Sequence, residues 1–503
     1  MKIWGITALS HDASLAVFDK SNGELNLLFA SQSERFSGIK NDPKLSKSMI
    51  DYCIDKFDYP ESICFYENGL LKKTRQLYAG QFNEIFKKST KTYCRSTIPN
   101  KFKFFQTTHH LSHASAGYYT SNFNDAIVLV LDAIGEWDTF TIWQAANNNL
   151  SKVFQQVYPH SVGLWFSAMT HYLGLKPQEH EYILMGMAAL GNKDRFKSRL
   201  LLECFTKMPS KSNPKIIMSK NFHKGFNPNL KFDLLTDQCK YDFAAAVQSI
   251  YEDIFRSVIE YMSIEYKSKN LVMAGGCILN CVANSIALEY FNNIWIMPNP
   301  GDSGSCIGSV LTKENQHISW PGPFLGYDIK GHYPFNGLIG DLIDTGISAV
   351  ACGPAEFGPR SLGHRSILAD PRGINIKDLV NQVKQREPFR PFAPMILEEH
   401  AHKYFEVPVV FSSHYMQYVV KCKSPLELPA IVHYDQTSRL QTVPNTDEFK
   451  NVRLLLEKWY RTTGCPMLLN TSLNIKNKPL VNTETDAKEW QKQHGLKVHI
   501  GKQ

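Results

Sequence analysis

The chain begins with two short apolar runs on either side of a polar turn. Residues 3–6 and 15–18 are predicted strands, and the turn between them carries His11 and Asp12. The same plan recurs further on, where the apolar run 126–131 ends at Asp132 and a glycine-containing acidic turn precedes another strand. Short apolar runs bounded by turns are typical of buried strands. The pattern therefore predicts two β-hairpins, each with an aspartate in its turn.

Units of strand, glycine turn and helix follow these hairpins. Residues 271–276 predict a strand that runs into a glycine turn with a helix at 280–290 behind it, and 293–297 predict another strand before the turn 301–304. Such turns place backbone N–H groups at helix N-termini, where phosphates bind. The pattern predicts an α/β fold, and its paired hairpins resemble the phosphate-binding hairpins of the actin and sugar-kinase class of nucleotide-binding folds.

A domain boundary is predicted within residues 320–336. This stretch contains three prolines and three glycines and shows little periodicity, which is typical of a connection between domains. Downstream, the composition shifts toward loops rich in arginine and proline. A chain of 503 residues is also too long for one ordinary core. We therefore predict two domains, 1–336 and 337–503.

Composition narrows the class of protein. The chain is 43% hydrophobic and 20% charged, as in ordinary globular enzymes. It has no apolar run of the roughly 20 residues that a spanning helix needs, and its start does not resemble a signal peptide, so we expect a cytoplasmic protein without a membrane partner.

The 11 cysteines lack CxxC spacing, which indicates reduced thiols. The net charge of +8 suits anionic small molecules, and nucleic acid is not expected because no binding module accompanies it.

Two histidines and two aspartates form a candidate metal site. His109 and His113 are four residues apart, so on a helix their imidazoles project from one face. Asp132 ends an apolar run and Asp302 lies in a glycine-rich turn, so both carboxylates are available to complete a metal shell. Such a ligand set suits Fe, Mn or Zn better than Ca. The alternative is that these histidines only pack or cap locally. The sequence contains neither a P-loop motif nor GxGxxG.

The C-terminal part contains cations in unusual surroundings. Arginines and a lysine stand beside glycines, prolines and aromatic residues, which is unusual for freely solvated side chains; ordinary surface salt bridges are the alternative. Arginine binds phosphate or carboxylate in a bidentate manner. We predict a pocket for a small, densely anionic ligand, formed by Arg360, Arg365, Lys384, Arg386, Arg390, Ser438, Arg439, Asn470, Ser472 and Asn474.

Nine ordered motifs carry a resemblance to a known family over nearly the whole chain. They are HDAS, HHLSHA, LDAIGEWD, QEHEYILMGMAALG, GGCILNCVAN, PNPGDSG, EFGPRSLGHRSILADPR, REPFRPFAP and LNTSLN. In this order they resemble the NodU/CmcH carbamoyltransferases of nodulation and antibiotic tailoring. The resemblance implies an N-terminal actin-like (ASKHA, TsaD-like) duplicated α/β domain followed by a smaller YrdC-like α/β domain.

The resemblance also implies an ATP-dependent O-carbamoyltransferase. Its second domain binds carbamoyl phosphate and ATP and forms carbamoyl-adenylate, and its first domain transfers the carbamoyl group to a hydroxyl of a small acceptor such as a sugar, antibiotic, nucleoside or nucleotide. The implied metal is Fe²⁺ first, with Mn²⁺ or Mg²⁺ as alternatives, and a homodimer is expected by analogy. By motif matching, His11, Asp12 and Arg390 are candidate catalytic residues. The nucleotide in the first domain is expected to face Gly135, Gly275, Gly276, Asn280 and Gly304.

Three positions depart from the family pattern. Ile183 and Pro354 stand where the family commonly has cations, and Ala133 follows the metal aspartate where a glycine is usual. Two alternatives remain open at this stage: a tRNA threonylcarbamoyl-type modification protein, and a degenerate nucleotide-binding module. The sequence does not identify the acceptor hydroxyl.

Overall fold

A computed structural model describes residues 1–229, 231–387, 389–390 and 392–501. Pro388 and Pro391, which belong to the predicted proline-stiffened loop, lie outside the described residues. Within the described ranges, no helix is both long and apolar enough to cross a membrane.

The structure is a mixed α/β protein with several separate sheets. Its strands are β1 (Lys2–Thr7), β2 (Ser14–Ser21), β3 (Glu24–Gln32), β4 (Ser62–Phe65), β5 (Lys103–Gln106), β6 (Asp125–Leu131), β7 (Asp138–Ala146), β8 (Asn149–Val157), β9 (Phe205–Lys207), β10 (Ile217–Met218), β11 (Asn270–Ala274), β12 (Asn293–Trp295), β13 (Phe324–Ile329), β14 (Ile347–Ala351), β15 (Gly353–Glu356), β16 (Arg365–Ala369), β17 (Ala393–Leu397), β18 (Tyr418–Lys421), β19 (Thr437–Val443), β20 (Met467–Ser472) and β21 (Val498–Ile500). Its α-helices are α1 (Glu34–Ser37), α2 (Lys47–Phe57), α3 (Gly69–Tyr78), α4 (Phe82–Ile85), α5 (Thr90–Thr97), α6 (His109–Thr120), α7 (Val162–Tyr172), α8 (Glu181–Ala188), α9 (Lys197–Cys204), α10 (Asp237–Glu265), α11 (Cys281–Asn284), α12 (Ser305–Glu314), α13 (Phe335–Thr345), α14 (Ile376–Lys384), α15 (Ala401–Tyr404), α16 (Lys450–Thr463) and α17 (Glu484–His494).

The chain divides into two compact units. The first unit comprises Met1–Leu27 and Ile50–Trp320, and the second comprises Leu28–Met49 and Pro321–Gln503. The division at Trp320/Pro321 lies at the start of the region 320–336, from which the sequence predicted a boundary at 336/337. No sequence pattern indicated that residues 28–49 group with the second unit, because that segment continues an ordinary N-terminal strand.

The first unit contains two five-stranded sheets with the same topology. The orders are β3-β2-β1-β4-β5 and β8-β7-β6-β11-β12. The central strand of each sheet, β1 or β6, pairs antiparallel with the strand that follows it in the chain, β2 or β7. On its other side it pairs parallel with β4 or β11. The hairpins β1/β2 and β6/β7 are those that the apolar pattern predicted. The repeated topology agrees with the predicted duplication of an α/β unit.

Close backbone contacts hold two central helices of the first unit in place. A Cβ on Gly5 of β1 would lie 1.8 Å from the carbonyl oxygen of Cys306 in α12, and a Cβ on Gly308 of α12 would lie 1.8 Å from the carbonyl oxygen of Ser112 in α6. Only glycine permits such approaches between elements. The helix that carries the two candidate histidines is therefore locked against the helix that follows Asp302.

The second unit contains a seven-stranded mixed sheet with the order β18-β19-β17-β20-β16-β14-β21. Its interior includes Trp459 of α16 and Trp490 of α17, both buried. Large aromatic side chains contribute much of the apolar area that stabilises such a core. Four adjacent strands, β19, β17, β20 and β16, carry or border the motifs that predicted an anion pocket.

Because of the contact at Ser112, Gly308→Ala is expected to destabilise the protein. Forcing a methyl group into a packed helix interface costs about 1–3 kcal/mol of unfolding free energy. Gly340 of α13 is the matched control, since a Cβ there meets no atom within 4 Å and alanine in a helix stabilises by about 0.5–1 kcal/mol. Denaturant unfolding of both variants checks this, and equal stabilities would contradict the packing.

Candidate metal and active site

Three elements deliver the four candidate metal ligands. His109 and His113 lie in the first two turns of α6, Asp132 follows β6 directly, and Asp302 lies in a short 3₁₀ turn before α12. All four residues are buried. The four side chains thus lie at or near the ends of buried helices and strands, where the chain turns and a charged residue can follow a run of apolar ones.

The side chains of these four residues converge. Nε2 of His109 lies 3.1 Å from Oδ2 of Asp132, 3.3 Å from Oδ1 of Asp302 and 3.1 Å from Nε2 of His113. Nε2 of His113 is 3.4 Å from the same Asp302 oxygen. One ligand atom from each residue falls within 4.8 Å of the others. The sequence-predicted set is thus brought together as one cluster.

The cluster has a strong preference for a positive charge. Burial alone lowers the pKa of His109, but the charge of Asp302 and the hydrogen bond with Asp132 raise that pKa well above its ordinary value. Burial raises the pKa of Asp302, yet the charges of His109 and His11 hold it well below its usual range. Two buried carboxylates require compensating charge, which a bound divalent cation would supply.

The geometry fits a transition metal ion. Two ligand atoms that each lie about 2.1 Å from one ion are about 3 Å apart when the angle between them at the ion is a right angle. The Nε2 atoms of His109 and His113 are 3.1 Å apart, which is close to that distance. Two imidazoles and two carboxylates are a donor set that Fe²⁺, Mn²⁺ and Zn²⁺ accept. The other oxygen of Asp132 is held by the backbone N–H of Gly276 at 2.9 Å, which fixes the orientation of the carboxylate.

The third histidine of the motif, His110, has a different role. Its Nδ1 lies 2.9 Å from the hydroxyl of Thr141 in β7. Burial and the neighbouring His109 lower the pKa of His110 to about 3, so this ring is neutral and packs against the sheet. Of the three histidines in this segment, the two that are four residues apart face the aspartates, and His110 does not.

His11 and Asp12 lie beside the cluster. Nδ1 of His11 is 3.2 Å from Asp12 Oδ2, and its Nε2 is 3.8 Å from Asp302 Oδ2. Burial alone lowers the pKa of His11, but Asp302 and Asp12 raise it to about 9. The turn is anchored by Ser14, whose hydroxyl donates to the carbonyl of Ser303 at 2.6 Å. The first hairpin therefore presents a histidine–aspartate pair to the metal cluster.

Glu136 is a residue that the sequence analysis did not select. Its buried carboxylate accepts the backbone N–H of His109 at 3.0 Å and that of Asn68 at 2.6 Å. The residue before α6, Thr108, makes no side-chain capping bond, so Glu136 satisfies an N–H group at the start of that helix. It thereby joins the first histidine ligand to the turn that carries Asp132. No feature of the local sequence distinguishes this carboxylate from a solvated one.

The predicted nucleotide-facing glycines are constrained by the protein itself. The N–H groups of Gly135, Gly275, Gly276 and Gly304 donate to Asp138, Pro300, Asp132 and Gly301 respectively. A Cβ on Gly275 would lie 2.3 Å from the carbonyl oxygen of Leu131, and its φ is +98°. Gly275 therefore lets the turn after β11 approach β6 closely. Contact between them and a nucleotide stays a prediction.

Asn280 is also engaged within the fold. Its side-chain amide exchanges hydrogen bonds with Gln248 of α10 at 3.0 and 3.2 Å, and its oxygen caps α11 through Ala283 N–H at 3.2 Å. The amide is buried. Asn280 thus positions the turn, and a direct role toward adenosine stays a prediction.

In the second unit, two distant motifs meet at Lys384. Its Nζ, at the end of α14, donates to the hydroxyl of Ser472 at 3.0 Å and to Oδ1 of Asn474 at 2.8 Å. Burial and the charges of Arg386 and Arg390 hold the pKa of Lys384 well below its ordinary value. A buried lysine among other cations is a favourable place for an anion, because the anion restores the charge balance.

Other predicted pocket residues have structural roles. Arg365 is fully buried, and its guanidinium donates to the carbonyls of Cys352, Gly353, Tyr327, His364 and Asn482. These bonds hold Arg365 in place, and contact between Arg365 and a ligand stays a prediction. Asn470 bonds Ser361 and Gln441, and the Ser438 hydroxyl donates to Ile431. These bonds tie the strands β16, β19 and β20 to their flanking loops.

The remaining arginines lie on or beside the same strands. Arg386 stacks its guanidinium 3.9 Å above the ring of Phe392, and Arg390 lies 3.3 Å from Glu387. Arg439 lies on β19 with its Nε buried and without a hydrogen-bond partner among the described residues. Arg360 is partly buried in the loop before β16. Contact of these four side chains with a ligand stays a prediction.

The departures from the family pattern are accommodated without strain. Ile183 is buried in α8, as suits an apolar side chain. Pro354 lies in β15, and its carbonyl accepts from Nδ1 of His364 at 2.8 Å. Ala133 packs against Gly163, where a Cβ would lie 2.7 Å from the Cα of Ala133. Their effect on activity stays open to experiment.

Removing the Glu136 carboxylate is expected to weaken metal binding. Glu136→Ala leaves the His109 N–H unpaired and frees the first ligand, so Mn²⁺ affinity is expected to fall about 10- to 100-fold. Glu136→Gln retains one acceptor oxygen and is expected to recover most of that loss. Isothermal titration with Mn²⁺ measures both, with the exposed Glu289→Ala as control. An alanine variant that binds Mn²⁺ as tightly as the wild type would contradict the positioning role.

Comparison with known proteins assigns the family. The family model described as carbamoyltransferase N-terminus matches residues 66–311, and the one described as carbamoyltransferase C-terminus matches 340–501. The Synechocystis protein sll1178 is 30% identical over 96% of this chain and 93% of its own length. Nodulation protein NolNO of Sinorhizobium fredii is 29% identical over 92% of this chain and 74% of its own. The 3'-hydroxymethylcephem-O-carbamoyltransferase of Amycolatopsis lactamdurans is 25% identical over 95% and 94%.

Solved structures resemble the chain only distantly. The activator of the 2-hydroxyisocaproyl-CoA dehydratase from Clostridium difficile with bound ADPNP aligns at 11% identity and a TM-score of 0.34, over 63% of this chain and 96% of that one. A similarity of this size adds nothing to the assignment. The two family models match in chain order and together cover most of the chain, and the relatives match over nearly its whole length. The chain therefore belongs to the carbamoyltransferase family and is a carbamoyltransferase.

Proposed function

We propose that the protein is an ATP-dependent O-carbamoyltransferase that works through carbamoyl-adenylate. The observation that carries the proposal is the buried cluster of His109, His113, Asp132 and Asp302, with His11 beside it, in a carbamoyltransferase chain. The cluster suits the transfer of a group from a nucleotide phosphate. In fold terms, we propose that the first unit is actin-like and TsaD-like and that the second is YrdC-like.

The second unit is proposed to activate the carbamoyl group. Carbamoyl phosphate and water give carbamate and phosphate; a carbamate oxygen then attacks the α-phosphorus of ATP, and pyrophosphate leaves. Lys384, Arg386 and Arg390 would neutralise the phosphate charges at this step. The contacts of Lys384 with Ser472 and Asn474 support this role, because they aim the ammonium group from a fixed position.

The first unit is proposed to catalyse transfer. An acceptor hydroxyl attacks the carbamoyl carbon of carbamoyl-adenylate, the bond to the adenylate oxygen breaks, and AMP and a carbamate ester are released. His109, His113, Asp132 and Asp302 would hold a divalent metal, Fe²⁺ first. When bound, such an ion supplies Lewis-acid stabilisation of the nucleotide phosphate.

His11 is proposed to act as the general base that removes the proton of the acceptor hydroxyl. Asp12 lies on its Nδ1 side at 3.2 Å, so an Nδ1–H donated to Asp12 leaves the Nε2 lone pair directed toward the cluster. The carboxylates raise the pKa of His11 to about 9. A cation held by the cluster would offset the charge of Asp302 and bring that pKa down toward neutrality, where His11 can act as a base. The acceptor is proposed to be a small hydroxylated molecule.

The two half-reactions are expected to separate in a metal-ligand variant. His109→Ala removes one ligand of the cluster, so carbamoyl transfer should fall at least about 10³-fold, while pyrophosphate release with carbamoyl phosphate and ATP is partly retained. The exposed His171 of α7 is the control, and His171→Ala should leave both activities intact. Survival of both activities in His109→Ala would show that the metal assignment is wrong.

The activation step is testable without an acceptor. The wild type, incubated with ATP, carbamoyl phosphate and Fe²⁺ or Mn²⁺, should give phosphate, pyrophosphate and carbamoyl-adenylate by mass spectrometry. Arg390→Ala should reduce carbamoyl-adenylate at least about 100-fold by removing a charge-assisted contact. Arg461→Ala, which changes an exposed arginine of α16, should leave it unchanged. ATP binding without any product in the wild type would instead favour the degenerate nucleotide-binding module.

A further inference from the structure

The helical hairpin of α3 and α4 exposes an unusual set of large apolar side chains. Leu70 is 72% exposed and Phe86 88% exposed, and Leu77, Tyr78 and Phe82 are each more than half exposed. Scattered single exposures are normal for soluble proteins, but a contiguous group marks an interaction surface. We call Leu70, Leu77, Tyr78, Phe82 and Phe86 the hairpin patch.

The geometry of the hairpin places members of this patch side by side. Leu70 and Leu77 are seven residues apart in α3 and so lie on one face of the helix. Lys73 lies between them on that face, and its Nζ donates to the carbonyl of Lys87 at 3.0 Å. That bond ties the exposed face of α3 to the end of α4, where Phe86 protrudes.

The opposite side of α3 is fixed to the body of the first unit. Asn68 caps the helix through Leu70 N–H and donates its own N–H to the carboxylate of Glu136. Arg75 is buried and donates to the backbone carbonyl of Glu136. The patch is therefore presented on an anchored element, and the same glutamate also supports the start of the metal-site helix.

The segment that carries the patch has an excess of positive charge. Residues 67–95 contain seven basic and two acidic side chains. Both acidic side chains are already paired, Glu67 with Lys72 at 2.8 Å and Glu84 with Lys87 at 2.7 Å. A second copy of the chain is a poor partner for this face, because a two-fold contact would bring lysines against lysines.

We propose that the hairpin patch docks the protein on an anionic lipid bilayer surface. Leucine and phenylalanine side chains bordered by lysines are the composition that binds the interface of anionic membranes. The apolar side chains protrude from two short helices, and a fluid bilayer can adapt to protruding groups. The expectation of no membrane partner rested on the lack of a spanning run, and surface docking needs no such run. The proposal does not depend on the carbamoyl chemistry.

Vesicle sedimentation of the full chain tests the proposal. The wild type should bind phosphatidylglycerol vesicles at least about tenfold more tightly than phosphatidylcholine vesicles, and high salt should weaken that binding. The double variant Leu70→Ser/Phe86→Ser and the single variant Lys88→Glu should each lose about tenfold in affinity for phosphatidylglycerol. The control is Leu235→Ser. Leu235 is also highly exposed, at 91%, but it lies between Asp233 and Asp237, whose negative charges disfavour an anionic surface.

Several other results of these experiments would each overturn the proposal. Absence of phosphatidylglycerol binding, or equal binding to both lipids, would exclude an anionic-surface site. An equal loss in Leu235→Ser would show non-specific apolar adsorption. Sedimentation equilibrium on the same proteins tests whether a second copy of the chain binds the patch instead. A wild-type dimer that dissociates in Leu70→Ser/Phe86→Ser would assign the patch to self-association.

Discussion

Two buried carboxylates facing two buried imidazoles are the constraint on which the first unit depends. Asp132 and Asp302 come from distant segments of the chain, and both lie within 3.5 Å of His109 Nε2. Burying two negative charges in one place is costly unless a cation or protons compensate them. The close backbone contacts at Gly275 and Gly308 make sense in this light, because they bring the elements that carry these groups together.

Local patterns predicted the parts of the site that a single segment determines. The spacing of His109 and His113 predicts one helix face, and the apolar run before Asp132 predicts a carboxylate at the end of a strand. Asp302 followed from its glycine-rich turn. In each case the residue type and its immediate neighbours contain the information, because helix and strand geometry is local. The two hairpins were predictable for the same reason.

What the sequence did not reveal depends on contacts between distant segments. Glu136 supports the start of α6 from another element, and no local pattern distinguishes this carboxylate from a solvated one. Arg365 donates to five backbone carbonyls from several segments, which only the packing of the second unit shows. The grouping of residues 28–49 with the second unit is likewise set by tertiary contacts. The four residues of the cluster were predictable, whereas the residues that support them were not.

Anomalous diffraction from crystals grown anaerobically with Fe²⁺, measured on both sides of the iron edge, tests whether this cluster is the metal centre. We expect one strong peak about 2.0–2.3 Å from Nε2 of His109 and His113 and from one oxygen each of Asp132 and Asp302. An iron peak elsewhere in the molecule, or none in crystals whose cluster is otherwise ordered, would contradict the assignment of this cluster as the metal centre.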